Sequence, residues 1–431
     1  MSARRVGFLV VAAVIAAAGC TVSPTGPDPA RDDEARTVHP AAHVDCDSAA
    51  DIRDRIADLE SDGTLNHGQV TALRTKLEQA ERHEAAGRSE RAADAYARLI
   101  AQVGEWVAEG VLTEEEAADL LACAEDVLDG PDPAGSFAYV TNLLSDNVSV
   151  IDLATNTVTS TVVVGSGARE LAITPDGHFA YVSNIFSNTV SVIDLATNTV
   201  IATIAVGDSP VGVAITPDGN FAYVTSFGSD DVSVIDIATN TVIATIILGD
   251  DPLGVAITPD GRFAYVTNVA SDNVSVIDIA TNTPAAAVAV GDFPLAVAIT
   301  LDGDFAYVIN VNSDDMSKID IATNTVTATI AVGDIPNGVA ITPDENFAYV
   351  SNSRANTVSV IDLATNTIIE VIAVGDGPGD VAITPDGRFA YVSNRTSDTV
   401  STIDLATNTV TATIAVGENP SGVAITPEVG P

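Results

Sequence analysis

The sequence predicts an all-β seven-bladed β-propeller of four-stranded antiparallel blades, preceded by a small all-α bundle. Two observations support the propeller: Phe-Ala-Tyr-Val recurs every 42 residues, and each interval holds four short runs of alternating apolar residues. A period of about 40 residues with four strand-like runs is typical of a propeller blade. A third observation, apolar residues at helical spacing before the repeats, predicts the bundle. The seven copies begin at Phe137, Phe179, Phe221, Phe263, Phe305, Phe347 and Phe389.

Each repeat supplies its strands in a fixed order, and the phase of that order predicts how the ring closes. Gly-Val-Ala-Ile, Phe-Ala-Tyr-Val, Val-Ser-Val-Ile-Asp and Thr-Ile-Ala-Val follow one another, and Thr-Pro-Asp-Gly turns the first run into the second. The chain enters at a second strand, Phe137, and ends on a lone first strand, 422–426. We expect this last strand to complete blade one and remove the open edges of the ring.

The loops fall on two faces of the predicted ring. The uniform face carries the Thr-Pro-Asp-Gly and Ala-Thr-Asn-Thr turns, which hardly vary, and the aspartates from Asp152 to Asp404 are expected to cap these turns as Asx turns. The variable face carries the loops after Tyr-Val-Thr-Asn and after Val-Gly-Asp, which hold nearly all the variation. A ligand is expected on the variable face, because a rigid scaffold leaves its loops free to differ.

Cations are scarce in the propeller, and half of them are predicted to lie near one another on the variable face. Arginines hold carboxylate or sulfate groups bidentately, and neighbouring apolar side chains add contact area. The alternative is that the apolar residues tuck under the loops and the arginines pair with nearby aspartates. The candidate ligand-binding residues are Arg169, Arg354, Arg395, Leu144, Phe186 and Phe227; Arg262 and Arg388 belong to the uniform face.

The repeat resembles the YVTN-type repeat of bacterial and archaeal surface β-propellers. The resemblance rests on the Phe-Ala-Tyr-Val, Val-Ser-Val-Ile-Asp and Ala-Thr-Asn-Thr segments and covers residues 137–427. It implies a propeller over residues 136–428 and a place at the cell surface. It implies little about chemistry, because one fold hosts many functions.

Residues 46–130 predict four amphipathic helices. Their apolar stripes centre on Ile56, Leu73, Leu99 and Leu120, and the fourth helix starts at a Thr113-Glu-Glu-Glu capping box. Together with two Gly-containing turns at Gly63 and Gly110, this order resembles the FIMAH domain of bacterial extracellular proteins. The resemblance implies an accessory module with no established chemistry.

The turn at 58–69 has oxygen side chains spaced as in a calcium-binding EF-hand loop. Its twelfth position is Gln69 in place of the bidentate glutamate, and a helix joint with an Asn66 cap explains the same residues. We therefore predict no metal site, and no cofactor is implied elsewhere.

The N-terminus reads as an export signal. Basic residues precede the apolar run 6–18, and Cys20 follows this run in a lipobox-like sequence. We expect Cys20 to be lipidated, with residues 1–20 as signal and the proline-rich 21–45 as a tether; an ordinary secretory signal is the alternative. In an exported protein the two remaining cysteines, Cys46 and Cys123, are expected to form a disulfide worth up to about 4–5 kcal/mol.

Composition narrows the function. The net charge of −41 argues against a nucleic-acid partner, and the propeller holds one histidine, no cysteine and no tryptophan. We therefore expect no enzyme but a monomeric, lipid-anchored binding or adhesion scaffold of the cell envelope, with a protein or glycan partner. The alternatives are a hydrolase or lyase acting through loop carboxylates and a purely structural envelope component.

Overall fold

A computed structural model describes residues 49–61, 64–84, 89–108, 111–113, 117, 120 and 136–427. The chain divides into two compact units between Ala134 and Gly135. The described part of the first unit holds helices α1 (Ala49–Ser61), α2 (His67–Glu84) and α3 (Ser89–Ala108). No helix in these ranges is long and apolar enough to cross a membrane. The predictions for residues 1–45, Cys46 and Cys123 lie outside the described residues.

The three helices bury one face each in a common core. Ile56, Leu73, Leu99 and Val103 are almost completely buried, as the apolar stripes predict. Most of the fourth predicted helix lies outside the described residues, although Ala117 and Leu120 are helical and join this core.

Asn66 caps α2, as expected. Its Oδ1 accepts hydrogen bonds from the N–H groups of Gly68 (2.9 Å) and Gln69 (3.1 Å), and the Asn66 N–H donates to Gln69 Oε1 (2.9 Å). This is a reciprocal capping box. Glu60, another candidate calcium ligand, contacts His67 and Arg74 at 3.0 Å, and the hydrogen bond from His67 lowers its pKa. Capping and ion pairing therefore account for both side chains.

The second unit is a seven-bladed propeller of four-stranded antiparallel sheets, which confirms the predicted fold class. The strands are β1 (Phe137–Asn142), β2 (Asn147–Asp152), β3 (Thr157–Val163), β4 (Ala168–Ile173), β5 (Phe179–Asn184), β6 (Thr189–Asp194), β7 (Thr199–Ala205), β8 (Pro210–Ile215), β9 (Phe221–Ser226), β10 (Asp231–Asp236), β11 (Thr241–Ile247), β12 (Pro252–Ile257), β13 (Phe263–Asn268), β14 (Asn273–Asp278), β15 (Thr283–Ala289), β16 (Pro294–Ile299), β17 (Phe305–Asn310), β18 (Asp315–Asp320), β19 (Thr325–Ala331), β20 (Pro336–Ile341), β21 (Phe347–Asn352), β22 (Thr357–Asp362), β23 (Thr367–Ala373), β24 (Pro378–Ile383), β25 (Phe389–Asn394), β26 (Thr399–Asp404), β27 (Thr409–Ala415) and β28 (Pro420–Ile425).

The C-terminal strand closes the ring. Blade one has the order β28-β1-β2-β3, and β28 pairs antiparallel with β1, Ala138 facing Ile425. This confirms the predicted blade phase. The first strands of adjacent blades, β4, β8, β12, β16, β20, β24 and β28, contact one another around the ring axis, whereas the outer strands scarcely touch. The first strands therefore line the central channel.

Apolar layers and repeated polar contacts hold neighbouring blades together. Val and Tyr side chains such as Val140 and Tyr139 are fully buried between the sheets. The Tyr139 hydroxyl donates to Asn198 Oδ1 of the next blade (2.8 Å), where Asn198 has a positive φ in its Ala-Thr-Asn-Thr turn. The Thr141 hydroxyl donates to the Arg169 carbonyl of the next first strand (2.8 Å). The repeated Tyr, Asn and Thr are therefore structural.

The turns of the uniform face use their aspartates locally, as predicted. All seven Ile-Asp aspartates accept an N–H bond from the threonine three residues on, at 2.7–3.0 Å. The Thr-Pro-Asp aspartates are used in the same way: the Thr216 hydroxyl donates to Asp218 (2.6 Å), and this bond lowers the pKa of Asp218. Arg262 and Arg388 also lie on this face, 5.2 and 5.4 Å from the rings of Phe263 and Phe389.

Candidate ligand-binding site at the mouth of the channel

The structure brings together two of the three predicted arginines. Arg169 lies on β4, and its Nη1 donates to Ser421 Oγ of β28 (2.6 Å). Arg395 follows β25 and turns toward the channel, where its Nη2 donates to Asn337 Oδ1 of β20 (3.2 Å). Arg354 stays apart on the rim, 71% exposed, with its Nε 3.6 Å from Asp334 Oδ2. For Arg354 the geometry matches the alternative of pairing with an aspartate.

Two carboxylates that the sequence analysis did not single out lie beside these arginines. Glu170 on β4 and Asp380 on β24 occupy the third position of their first strands. The other blades carry only small residues there: Gly212, Gly254, Ala296, Gly338 and Gly422. The signal in the sequence was this departure from the repeat, since two acidic residues stand where the consensus is glycine.

In the blades that carry glycine here, close packing between first strands leaves little room for a side chain. A Cβ on Gly212 would collide with the carbonyl oxygen of Leu253 in the next blade, and a Cβ on Gly422 would collide with Glu170 Oε2. Asp380 Oδ2 in turn accepts a hydrogen bond from the Val423 N–H (3.0 Å). The two carboxylates therefore flank the closing strand β28, one on each side.

The surrounding protein perturbs the charges of this cluster. Burial and the nearby charge of Asp380 raise the pKa of Glu170 to about 8, against the opposing effect of Arg169 and Arg395. Burial also raises the pKa of Asp380 and lowers that of Arg395 to about 9. All three side chains keep some contact with the channel, because Glu170, Asp380 and Arg395 are only partly covered. Burial therefore disfavours the charged form of each of these three side chains.

The opposite charges of the cluster do not pair directly. Among the described residues, no nitrogen of Arg169 or Arg395 lies within 4.0 Å of a carboxylate oxygen. Arg395 Nε is buried and has no hydrogen-bond partner. Each guanidinium makes one side-chain hydrogen bond although it carries five N–H donors. Among the described residues, Arg169 and Arg395 therefore keep guanidinium N–H donors that no side chain occupies.

An apolar arc forms the other side of the mouth. Val211, Leu253 and Val269 pack together and are nearly buried, and the partly buried Ile185 and Leu295 pack against them. These residues come from blades two to five, whereas the four charged residues belong to blades two and seven. The mouth is therefore apolar on one side and charged on the other.

The predicted apolar candidates lie on the rim. Leu144 is 60% exposed, Phe186 64% and Phe227 37%. Phe186 lies over Gly167, two residues before Arg169, because a Cβ on Gly167 would meet its ring at 2.6 Å. Phe186 is thus the rim side chain next to the strand that bears Arg169 and Glu170.

Comparison with known structures agrees with the propeller. A hydrazine synthase from Kuenenia stuttgartiensis is 26% identical, covers 59% of this chain and 88% of its own, and has a TM-score of 0.55. A functionally unknown protein from Desulfotomaculum acetoxidans is 20% identical (68% and 99% covered, TM-score 0.62). A candidate 6-phosphogluconolactonase from Bacteroides fragilis is 19% identical (69% and 99% covered, TM-score 0.60). The last two likenesses show the fold alone. No curated protein matches the chain.

Two family models divide the sequence between them. The FIMAH domain matches residues 49–129, in agreement with the resemblance of the helical segment. The model of the YNCE-like beta-propeller matches residues 122–429, which is well over half of the chain. The chain belongs to the YNCE-like beta-propeller family and carries an N-terminal FIMAH domain.

Proposed function

We propose that this protein is an exported scaffold, lipid-anchored at Cys20, whose propeller binds a ligand of the cell envelope at the variable-face mouth of its channel. The observation that supports this most is the cluster of Arg169, Arg395, Glu170 and Asp380. Among the described residues, its arginines form no ion pair with a carboxylate, and Arg395 Nε has no hydrogen-bond partner. Buried polar groups left without partners are costly, so such a cluster is expected where a ligand or ordered water completes the bonding.

The remainder of the propeller surface offers less to a ligand. On the uniform face, all seven Ile-Asp aspartates are used by their own turns. At the mouth, by contrast, seven blades present different side chains on a rigid ring, as expected of a binding surface. Leu144, Phe186 and Phe227 extend this surface outward and supply apolar contact area.

The test is to probe arrays of peptides and glycans with the full chain and four variants. We expect a bound probe to be lost on Arg169→Ala or Arg395→Ala and weakened to a lesser degree by Arg354→Ala on the rim. Arg262→Ala is the matched control, because it removes the same side chain from the uniform face. A probe that survives loss of both channel arginines, or that is lost with Arg262, would refute the assignment. Absence of any bound probe would favour a purely structural role.

A hydrolase or lyase is the second candidate, and the Glu170–Asp380 pair is what favours it. Two neighbouring carboxylates, one with a pKa raised to about 8 by burial, are a common arrangement for acid–base work. Candidate lactonases occur among the structural neighbours, but at identities that show the fold alone. Hydrolysis of 6-phosphogluconolactone by the full chain, lost in Glu170→Gln, would support this alternative. Absence of turnover would remove the lactonase version.

A further inference from the structure

We propose that the mouth of the channel binds a free α-amino acid with an aliphatic side chain, a zwitterion whose carboxylate meets Arg169 and Arg395 and whose ammonium meets Glu170 and Asp380. This inference rests on the proposed function and assigns a ligand class to the same site. Three features carry it: charges of both signs in one cluster, their lack of direct pairing, and the apolar arc opposite them.

The charges around the site favour a ligand that carries both signs. Two guanidinium groups and two carboxyl groups lie near one another, since Asp380, Arg169 and Arg395 all act on the pKa of Glu170. A simple anion would gain contact with Arg169 and Arg395 but would be repelled by Asp380. A simple cation would gain contact with the carboxylates but would be repelled by both arginines. Like charges brought together in such a confined site cost several kcal/mol, so a ligand carrying both charges is favoured.

The hydrogen-bonding groups of the site match a carboxylate and an ammonium group. Among the described residues, Arg395 makes one side-chain hydrogen bond, to Asn337, and Arg169 makes one, to Ser421. A carboxylate accepts two parallel N–H bonds from a guanidinium, which makes use of this spare donor capacity. On the acidic side, none of the hydrogen bonds among the described residues occupies the carboxylate of Glu170. The three N–H donors of an ammonium group match this acceptor, and Asp380 beside it adds a second carboxylate.

The apolar arc favours an aliphatic side chain on the ligand. Ile185 and Leu295 are partly exposed at the edge of the apolar arc, and Phe186 is 64% exposed beside them. An aliphatic group that packs against such a surface is removed from water, and this burial favours binding in proportion to the apolar area covered. The charged head would then face blades two and seven, and the side chain would lean toward blades two to five.

Release of a proton from Glu170 on ligand binding can be measured separately from affinity. The titratable and charged groups of the described residues that face Glu170 are Asp380, Arg169 and Arg395. Because the pKa of Glu170 is about 8, its carboxyl is mostly protonated at pH 7. An ammonium group favours the ionised form, so its binding should expel a proton at pH 7, and affinity should increase as the pH rises toward 8. An anion alone would expel none.

The experiment is calorimetric titration of the full chain with L-leucine, 4-methylpentanoate and 3-methylbutylamine, which share one side chain and differ in the head group. We expect leucine to bind at least tenfold more tightly than either analogue and to release protons, measured in buffers of different ionisation enthalpy. Glu170→Gln should abolish proton release and weaken leucine, and Arg395→Ala should weaken it as well. Arg262→Ala should leave binding unchanged. Thermal melts of each variant establish that it is folded.

Each other outcome has a definite meaning. If 4-methylpentanoate binds as tightly as leucine, the site takes anions; the zwitterion inference is then wrong while the proposed binding function stands. If leucine fails to bind but an array probe depends on Arg169 and Arg395, the ligand class is wrong and the site is right. If no amino acid and no array probe binds, both proposals fail.

Discussion

Blade three lacks an amide that the other six blades use, and replacing it should stabilise the propeller. In blade five, Asn310 Nδ2 donates to Asp315 Oδ1 (2.7 Å) and to Ser317 Oγ (2.9 Å). The corresponding asparagine in blade three is Ser226. Its Oγ and the Oδ1 of Asp231, which is 7% exposed, are buried without a hydrogen-bond partner. Ser226→Asn should therefore supply a missing donor to a buried carboxylate.

The expected gain in the free energy of unfolding follows from the two hydrogen bonds of Asn310 in blade five. A hydrogen bond to a charged group contributes about 1.5–3 kcal/mol, and a neutral one about 1 kcal/mol. Ordering the longer side chain costs on the order of 1 kcal/mol, and the new amide oxygen offsets a further part of the gain, because Asn310 Oδ1 is buried without a hydrogen-bond partner in blade five. The net expectation is about 1–2 kcal/mol. For a domain of this size this amounts to a rise in the melting temperature of about 2–4 °C.

The assay is thermal unfolding of Ser226→Asn beside the reciprocal variant Asn310→Ser. The second change leaves Asp315 of blade five without its amide donor, as Asp231 is in blade three. We expect it to lower the melting temperature by a similar or larger amount, because it leaves a charged group unsatisfied. If Ser226→Asn leaves the melting temperature unchanged or lower while Asn310→Ser is destabilising, Asp231 does not lack a hydrogen-bond donor.

Four other predictions concern closure, pH and the N-terminal segment. Deleting 420–431 removes β28 and exposes an edge of β1, so aggregation or a lower melting temperature should follow, and an equally stable monomer would contradict the closure. Because the pKa of Glu170 is raised from 4.5 to about 8, its ionisation should destabilise the fold progressively from about pH 4.5 to 8; Glu170→Gln should flatten this part of the stability curve, as thermal melts across that range can check. Cys20→Ala should release the protein from membranes or block its processing, and unchanged partition on fractionation would remove the anchor. Non-reducing peptide mapping should show Cys46 linked to Cys123, and free thiols at both positions would rule the disulfide out.

Much of the architecture was present in the sequence because it depends on local, repeated patterns. A strand alternation of two residues and turn residues at constant spacing predict the blade, its number and its phase. The caps were also legible: the seven aspartates and Asn66 bond to N–H groups two or three residues away. Such contacts need no knowledge of distant parts of the chain, so one sequence is enough to predict them.

The cluster in the channel was decided by tertiary structure alone. Glu170 and Asp380 are separated by most of the propeller in sequence, and they come close only because ring closure places β28 between β4 and β24. Likewise, Arg395 turns inward and Arg354 outward although both follow a Tyr-Val-Ser-Asn strand. Arg395 is the first residue after its strand and Arg354 the second, and successive residues leave a strand end in different directions. The repeat predicted which face would vary, but the direction of each side chain and the meeting of distant charges depend on the closed ring.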